Sequence, residues 1–331
     1  MNALAFMGIR ILNIIFPILT GTYVARVLDK TYYGYFNSVD TILSFFLPFA
    51  TFGVYTYGLR AISNVRDNKN KTNKVFSQLF YLCMFCTIVT TAIYFATYNL
   101  FFENNPTLKK IYLVMGVQLV AQIFSIEWVN EALENYSFLF YKTAVIRVLM
   151  LISIFAFVRD EHDIIIYTLI MSLSTALNYV ISYFWIKKDV KFVRIKIRDL
   201  KPLILPLLAM LLFANANMLY TFLDRIFLVK AGESIYVTYY TMSQRLVTVL
   251  AGVITGAIGV SLPRLGYYLG NNDRESYTYL VNKGSRVFNF FIIPLSFGLT
   301  LLGPHAILLY GSEKYVAAGT LTSLFAFRTI I

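Results

Sequence analysis

The sequence predicts an all-α polytopic membrane protein, and three features carry that prediction. Of its 331 residues, 58% are hydrophobic and 14% are charged, whereas a soluble domain is usually about a quarter charged. The mean hydropathy is +0.65. The apolar residues lie in continuous runs rather than in alternation, and in lipid this pattern favours helical spans over a closed β-barrel.

The apolar runs divide the chain into ten segments that are long enough, or nearly so, to cross a bilayer as helices. Crossing about 30 Å of hydrocarbon takes about 20 residues in a helix. We expect spans near residues 4–25, 36–57, 75–98, 111–127, 143–158, 164–185, 203–223, 236–260, 287–309 and 316–331.

The basic residues predict the orientation of these spans. Of 29 Lys and Arg residues, 17 lie in the loops after even-numbered spans and 8 lie in the opposite loops. The 17 include Lys142, which this map places in the loop before the fifth span. Because cytoplasmic loops carry an excess of Lys and Arg, the N-terminus is expected in the cytoplasm.

The composition and motifs also exclude several classes of function. The net charge of +12 is scattered between apolar runs, whereas nucleic-acid binding needs cations gathered on one solvated face. Cys83 and Cys86 lie inside an apolar run without further metal ligands, which indicates packing residues rather than a metal site. No phosphate-binding loop or polar carboxylate pair is present in the sequence. We therefore expect no enzyme, no metal and no cofactor.

Four arginines fall inside the predicted spans, and such residues usually face a bundle interior or a watery cavity. Arg10 and Arg147 lie about a turn from the cytoplasmic end, so each could reach the headgroups instead. Arg245 and Arg328 lie near the predicted midplane, where that alternative is harder. All four are therefore candidates for the functional site.

Uncharged polar residues add stripes to several spans. Asn13 lies three residues after Arg10 and on the same helical face. Interhelical hydrogen bonds and a hydrated central cavity are alternative explanations, and stripes on several spans together favour the cavity. The candidate cavity residues of this type are Asn13, Gln118, Gln122, Asn215 and Asn217.

Acidic residues are rarer in the spans. Asp40 lies a turn into the second span, and Asp224 closes the seventh beside Arg225. Each could form a structural ion pair or couple transport to a cation, and structural pairing is the favoured alternative.

Three segments carry motifs of one transporter family, in that family's order along the chain. Residues 22–37 (TYVARVLDKTYYGYFN) are similar to its first-loop pattern, and residues 126–149 contain its Trp, acidic residue and basic helix start at Trp128, Glu134 and Arg147. Residues 222–246, followed by SLPRLG, are similar to its spans seven and eight. The chain thus resembles the polysaccharide repeat-unit (Wzx-type) flippases of the multidrug/oligosaccharidyl-lipid/polysaccharide exporter superfamily.

This resemblance implies two six-helix lobes around a central cavity. In the chain they correspond to an N-terminal lobe at 1–186 (spans one to six), a basic cytoplasmic linker at 187–202, and a C-terminal lobe at 203–331 (spans seven to ten). Members of the family have twelve or fourteen spans, whereas this sequence stops within an apolar run. We therefore expect the C-terminal lobe to be incomplete. Either the chain is truncated or another chain completes the cavity, and truncation is the favoured alternative.

The resemblance also implies a function. Such a protein flips undecaprenyl-pyrophosphate-linked oligosaccharide repeat units from the inner to the outer leaflet by alternating access, for capsular or other surface polysaccharide. The implied location is the bacterial cytoplasmic membrane, and the implied partners are lipid-linked oligosaccharide, membrane lipid and other polysaccharide-assembly proteins. The span arginines would bind the pyrophosphate, and Asp40 or Asp224 would couple an ion.

Three alternatives remain open at this point. A drug or cation antiporter of the same superfamily should show cavity carboxylates rather than arginines. A membrane polysaccharide polymerase should show a large outer loop, and every predicted outer loop is short. A scaffold that does not transport is the third alternative.

Overall fold

The structure is a computed structural model that describes residues 2–102, 105–259, 262–271 and 273–328. Throughout these ranges the regular structure is helical, without strands, which confirms the predicted all-α class. The helices are α1 Asn2–Val27, α2 Lys30–Thr51, α3 Val54–Ser63, α4 Lys69–Ala96, α5 Tyr98–Phe101, α6 Pro106–Ala121, α7 Glu127–Ala132, α8 Tyr136–Phe157, α9 Ile164–Ile186, α10 Lys201–Lys230, α11 Ser234–Gly259, α12 Leu262–Gly270, α13 Arg274–Tyr310 and α14 Ala318–Arg328.

Each of the ten predicted spans overlaps at least one of these helices. Six helical segments of the described chain are long and apolar enough to cross a membrane, or seven if α10 counts as one bent span. A multi-pass membrane protein is thereby confirmed, while the full count of ten spans and the cytoplasmic N-terminus stay predictions. The six segments are Lys30–Ser63, Lys69–Ala96, Pro106–Ala132, Tyr136–Phe157, Ile164–Ile186 and Arg274–Tyr310.

The predicted second span, 36–57, is interrupted in the structure. Phe52 ends α2 with a φ of 48°, and Gly53 follows with a φ of 71° before α3 begins. A Cβ atom at Gly53 would lie 2.5 Å from the carbonyl oxygen of Leu207 in α10. Glycine is therefore required there both by the left-handed backbone and by the close approach of α10.

Local signals fix several helix starts. Asp29 caps α2, and its side chain accepts a 2.7 Å hydrogen bond from the backbone N–H of Thr31. Partial burial raises the pKa of Asp29, but the hydrogen bonds from Thr31 and Tyr32 outweigh it and hold that pKa below its usual value. Asn105 caps α6 in the same way, with Pro106 at the first helical position.

The chain forms two compact units, Met1–Val237 and Thr238–Ile331. In the first, α1 packs on α8, α6 on α9, α2 on α4, α6 and α10, and α8 on α9. In the second, α13 packs on α14 and α12. The lobe boundaries 1–186, 187–202 and 203–331 stay a prediction.

The first unit has an apolar core in which α7 is a central piece. Trp128 of α7 is 1% exposed and packs among Val54, Phe76 and Leu79. Gly58 of α3 lies directly against the Trp128 ring, where a Cβ atom would come within 2.5 Å of it. This contact anchors α7, and with it the residue just before Trp128, which is Glu127.

Many large apolar side chains face outward, as expected for helices surrounded by lipid. Phe85 of α4 is 67% exposed and Phe213 of α10 is 84% exposed. Polar groups such as Asn37, Ser77 and Gln122 are buried instead. Because lipid is as apolar as leucine, helix association in this setting depends on packing and on interior hydrogen bonds.

Candidate functional site, a polar cavity in the helical bundle

The first unit contains a cavity of about 240 Å³ whose wall carries charged and polar side chains. On α8 and on α9 the lining positions repeat at i, i+3, i+4 and i+7, so each helix turns one continuous face to the cavity. The lining residues are Ile9 and Asn13 of α1, Glu127 of α7, Thr143, Ile146, Arg147 and Met150 of α8, and Met171, Ser174, Thr175, Asn178 and Tyr179 of α9.

Arg147 is the arginine of this cavity. Its Nη2 donates to Oδ1 of Asn13 across the contact between α8 and α1, at 3.4 Å. Among the described residues this is the only hydrogen-bond partner of Arg147. A guanidinium has five N–H donors, so Arg147 keeps donors available for an anion in the cavity.

A second charged group, Lys142, lies behind the cavity wall. Its Nζ donates to Glu127 Oε1 at 2.5 Å, to Ser182 Oγ at 2.6 Å and to the carbonyl oxygen of Asn178 at 3.1 Å. Lys142 is only 7% exposed. The prediction that Lys142 lies in a loop is wrong, because α8 begins at Tyr136 and Lys142 lies in its second turn.

The network continues through amide side chains. Asn178 Nδ2 donates to Glu127 Oε1 at 2.8 Å, and Gln122 Nε2 donates to the Tyr179 hydroxyl at 3.3 Å. Gln122 Oε1 and Asn178 Oδ1 are buried and have no hydrogen-bond partner in the described part of the chain. The wall of the cavity therefore offers unused acceptors as well as the unused donors of Arg147.

The other acidic residues near α7 are used in contacts with α3 and its following turn. Glu131 Oε1 accepts from the Tyr55 hydroxyl at 2.5 Å, and Glu134 Oε1 pairs with Arg66 at 2.5 Å. The pKa of the exposed Arg66 is raised, first through its hydrogen bond with Glu134. These pairs tie α7 to α3 and leave Glu127 as the carboxylate that lines the cavity.

Comparison with known proteins shows the family to which the chain belongs. Residues 1–268 match the family described as Polysaccharide biosynthesis protein. The chain belongs to this family. It is 23% identical over 182 residues to a protein of Escherichia coli (strain K12) named "Putative O-antigen transporter". The match covers 53% of this chain and 44% of that protein, so the chain spans less than half of that relative's length.

A solved structure shares the fold of this polysaccharide biosynthesis family member. It is an inward-facing conformation of a multidrug resistance MATE family transporter of the MOP superfamily. The TM-score is 0.66, and the match covers 98% of this chain and 82% of the other at 14% identity. The resemblance found in the sequence is thus confirmed for family and for fold.

The structure brings some of the sequence-predicted candidates of this family member to the cavity. Asn13 and Arg147 line it, and Gln122 contacts the lining residue Tyr179. Gln118 lies in α6, one turn before Gln122, and donates to Ser172 of α9 at 3.1 Å. Asn215 donates to Leu211 of its own helix at 2.8 Å. The roles of all these residues stay predictions.

The remaining candidates are not among the lining residues of this cavity, or their side chains lie outside the described residues. Asp40 belongs to α2 and Asp224 to α10, while Arg245 of α11 and Arg328 at the end of α14 belong to the second unit. The side chains of Arg10 and Asn217 lie outside the described part of the structure. In the described residues, no three His, Cys, Asp or Glu side chains are arranged to hold a metal ion.

Sequence reasoning missed Glu127, Lys142, Asn178, Tyr179 and Ser182. A signal was present on α9, where Ser174, Asn178 and Ser182 recur every four residues in an apolar run. The contact between Glu127 and Lys142 depends on the turn between α7 and α8. There Glu134 takes a φ of 60°, an uncommon conformation for a residue other than glycine, which hydropathy cannot reveal.

Proposed function

We propose that this chain forms part of a transporter that flips undecaprenyl-pyrophosphate-linked oligosaccharide repeat units from the inner to the outer leaflet of the bacterial cytoplasmic membrane. The product would serve capsular or other surface polysaccharide, and no covalent step is needed. The observation that carries this proposal is the polar cavity with Arg147 in its wall, within a chain that matches a polysaccharide biosynthesis family over residues 1–268.

The chemistry of the cavity suits a phosphorylated carbohydrate. Arginine presents a planar fork that pairs bidentately with phosphate oxygens. Ser174, Thr175 and Asn178 supply hydroxyl and amide groups that can bond sugar hydroxyls. A charged group in a membrane span costs about 2.5–3.5 kcal/mol on insertion scales, so its retention in a cavity calls for a functional reason.

Transport by alternating access would expose such a cavity to each side of the membrane in turn. Arg10, Arg245 and Arg328 remain candidates for further contacts with the pyrophosphate, and Asp40 and Asp224 for ion coupling. Lipid-linked oligosaccharide and membrane lipid are the proposed partners, together with other polysaccharide-assembly proteins.

The test is complementation of a strain that lacks the native gene. Arg147→Ala should weaken binding of the pyrophosphate roughly 10- to 100-fold, the value of a hydrogen-bonded charge. Surface polysaccharide should fall, and lipid-linked repeat units should accumulate in membrane extracts. Arg147→Lys keeps the charge but not the fork, and should rescue export in part.

Arg194→Ala is the matched control, because Arg194 is an exposed arginine between α9 and α10. Export should stay normal in that variant, and immunoblots of membranes should show equal insertion of all variants. Normal export with Arg147→Ala would refute a role for this cavity in the flipping step.

The antiporter alternative has one observation in its favour, which is the carboxylate of Glu127 in the cavity wall. Lys142 pairs with that carboxylate, so the pair offers little net charge to a cationic drug. Drug susceptibility of the same strains tests this alternative. Normal polysaccharide with raised drug sensitivity in Glu127→Gln cells would favour the antiporter.

A further inference from the structure

The ammonium of Lys142 lies in a cage of three oxygen atoms. The cage consists of Glu127 Oε1, Ser182 Oγ and the carbonyl oxygen of Asn178, at 2.5, 2.6 and 3.1 Å from Nζ. An ammonium has three N–H donors and no acceptor. Each donor thus has one partner, although the side chain of Lys142 is almost completely buried.

The ligand set of this cage is one that hard metal cations also use. A carboxylate, a backbone carbonyl and a hydroxyl all offer the oxygen ligands that such ions prefer. The charge balance fits a monovalent ion, because Glu127 supplies one negative charge and Lys142 supplies one positive charge. A divalent ion in the same place would leave an excess of positive charge.

Two further oxygen atoms in the same hydrogen-bond network lack a partner among the described residues. Asn178 Oδ1 belongs to the amide group that donates to Glu127, and Gln122 Oε1 belongs to the amide that donates to Tyr179. Both oxygens are buried without a partner among the described residues. Unpaired buried acceptors of this kind cost free energy, and a nearby cation would relieve that cost.

We propose that the cage of Glu127, Asn178 and Ser182 is a monovalent-cation site that the protein fills with its own lysine. The tethered ammonium joins α7, α8 and α9 without a dissolved ion. Removal of the amine while the cage is kept should leave a site for Na⁺. The stability of the native protein should therefore not change with Na⁺ bound at this site, whereas the stability of the variant without the amine should depend on Na⁺.

The experiment measures the melting temperature of the purified full chain in detergent as NaCl replaces choline chloride at constant ionic strength. Lys142→Ala should melt below the native protein in choline and recover with Na⁺, because an ion that binds only the folded state stabilises it. A rise of about 4 °C is expected when Na⁺ reaches roughly 100 times its Kd. The native melting temperature should not change.

Three variants make the test specific. Lys142→Met fills the place of the lysine stem without a charge, so it should not respond to Na⁺. Adding Glu127→Gln to Lys142→Ala removes the anionic ligand and should abolish the response. Lys109→Ala removes an exposed lysine of α6 and should behave as the native protein does.

Direct binding of ²²Na⁺ to membranes that contain Lys142→Ala or Lys142→Ser is the second measurement. Saturable binding that needs Glu127 supports the proposal. An equal response of the native protein and Lys142→Ala to Na⁺ overturns it. Failure of both the Ala and the Ser variant to accumulate at any Na⁺ concentration overturns it as well, since an ion-accepting cage would restore them.

Discussion

Two cavities of the first unit are built on the same helical spacing from different residues. The polar cavity described above is lined by four residues of α8 at i, i+3, i+4 and i+7, and by five of α9 at the same spacing with i+8 added. An apolar groove of about 370 Å³ repeats that spacing on α4, at Cys86, Val89, Thr90 and Ile93, with Phe85 beside it. Its other wall consists of Phe45, Phe46, Phe49 and Phe52, from α2 and the residue that follows it.

The comparison shows that helix packing decides where space is left, and residue type decides what that space can bind. In the polar cavity each charged side chain has a partner on another helix, as with Lys142 and Glu127 or Arg147 and Asn13. In the apolar groove the contacts are between rings, such as Phe45 stacked on Phe222 at 4.2 Å. Loss of a polar group should therefore lower stability more at the polar cavity than at the apolar groove.

The largest effect is expected at the ion pair. Glu127→Ala leaves the buried ammonium of Lys142 uncompensated and should lower the free energy of unfolding by about 3–5 kcal/mol. The double variant Glu127→Leu with Lys142→Met removes both charges and should lose much less. Denaturant titrations in detergent measure both values. Equal losses in the single and double variants would contradict the pairing.

On the apolar groove, loss of a ring should matter only where the ring is buried. Phe46 is 7% exposed and packs edge-on against Tyr94, so Phe46→Ala should cost about 3 kcal/mol. Phe85 also lines the groove but is mostly exposed, and Phe85→Ala should cost less than about 0.5 kcal/mol. The same titrations measure the losses for both variants. Similar losses would show that the Phe85 ring is also buried and that the groove is closed.

Removal of one hydroxyl from each cavity region gives a sharper comparison. Ser182→Ala deletes an acceptor of the Lys142 ammonium and should cost about 2 kcal/mol, as for a hydrogen bond to a charge. Thr90→Val keeps the shape of a buried groove residue and should change stability by less than about 0.5 kcal/mol. A larger loss from Thr90→Val than from Ser182→Ala would reverse the assignment of polar and apolar walls.

Among the hydrogen bonds compared, the smallest loss is expected for the one between Gln118 and Ser172, one turn beyond the cavity. Interhelical side-chain hydrogen bonds in membranes average about 0.6 kcal/mol, so Gln118→Leu should cost about that much. A double-mutant cycle with Ser172→Ala isolates the coupling energy. A coupling above about 2 kcal/mol would place Gln118 in the same network as Lys142.

Hydropathy alone was enough to place the long helices, because a helix surrounded by lipid must be apolar over most of its length. It did not predict short helices such as α7 and α12. It could not show the break at Phe52 and Gly53, since an apolar run looks the same whichever backbone angles it takes. The ninth span was predicted at 287–309, whereas α13 runs over Arg274–Tyr310. The part that was not predicted is polar and extends the helix beyond the apolar run.

The candidate site was predicted only in part for a related reason. Arg147 and Asn13 stand out as polar residues inside apolar runs, and both line the cavity. Lys142 was assigned to a loop because a charge count considers each cation by its neighbours in sequence. Its carboxylate partner lies 15 residues earlier on another helix, and only the turn at Glu134 brings the two together.

Helix α7 is only six residues long, yet two of its neighbouring side chains have opposite environments. Trp128 is buried against Gly58, and Glu127, one position earlier, reaches the polar cavity. Successive residues of a helix are rotated by about 100°. Deletion of a single residue between Gln122 and Ile126 would therefore allow two registers of α7. In one register the Trp128 ring stays in the core and the segment before α7 is strained. In the other register the Trp128 ring turns toward Arg147 in the cavity.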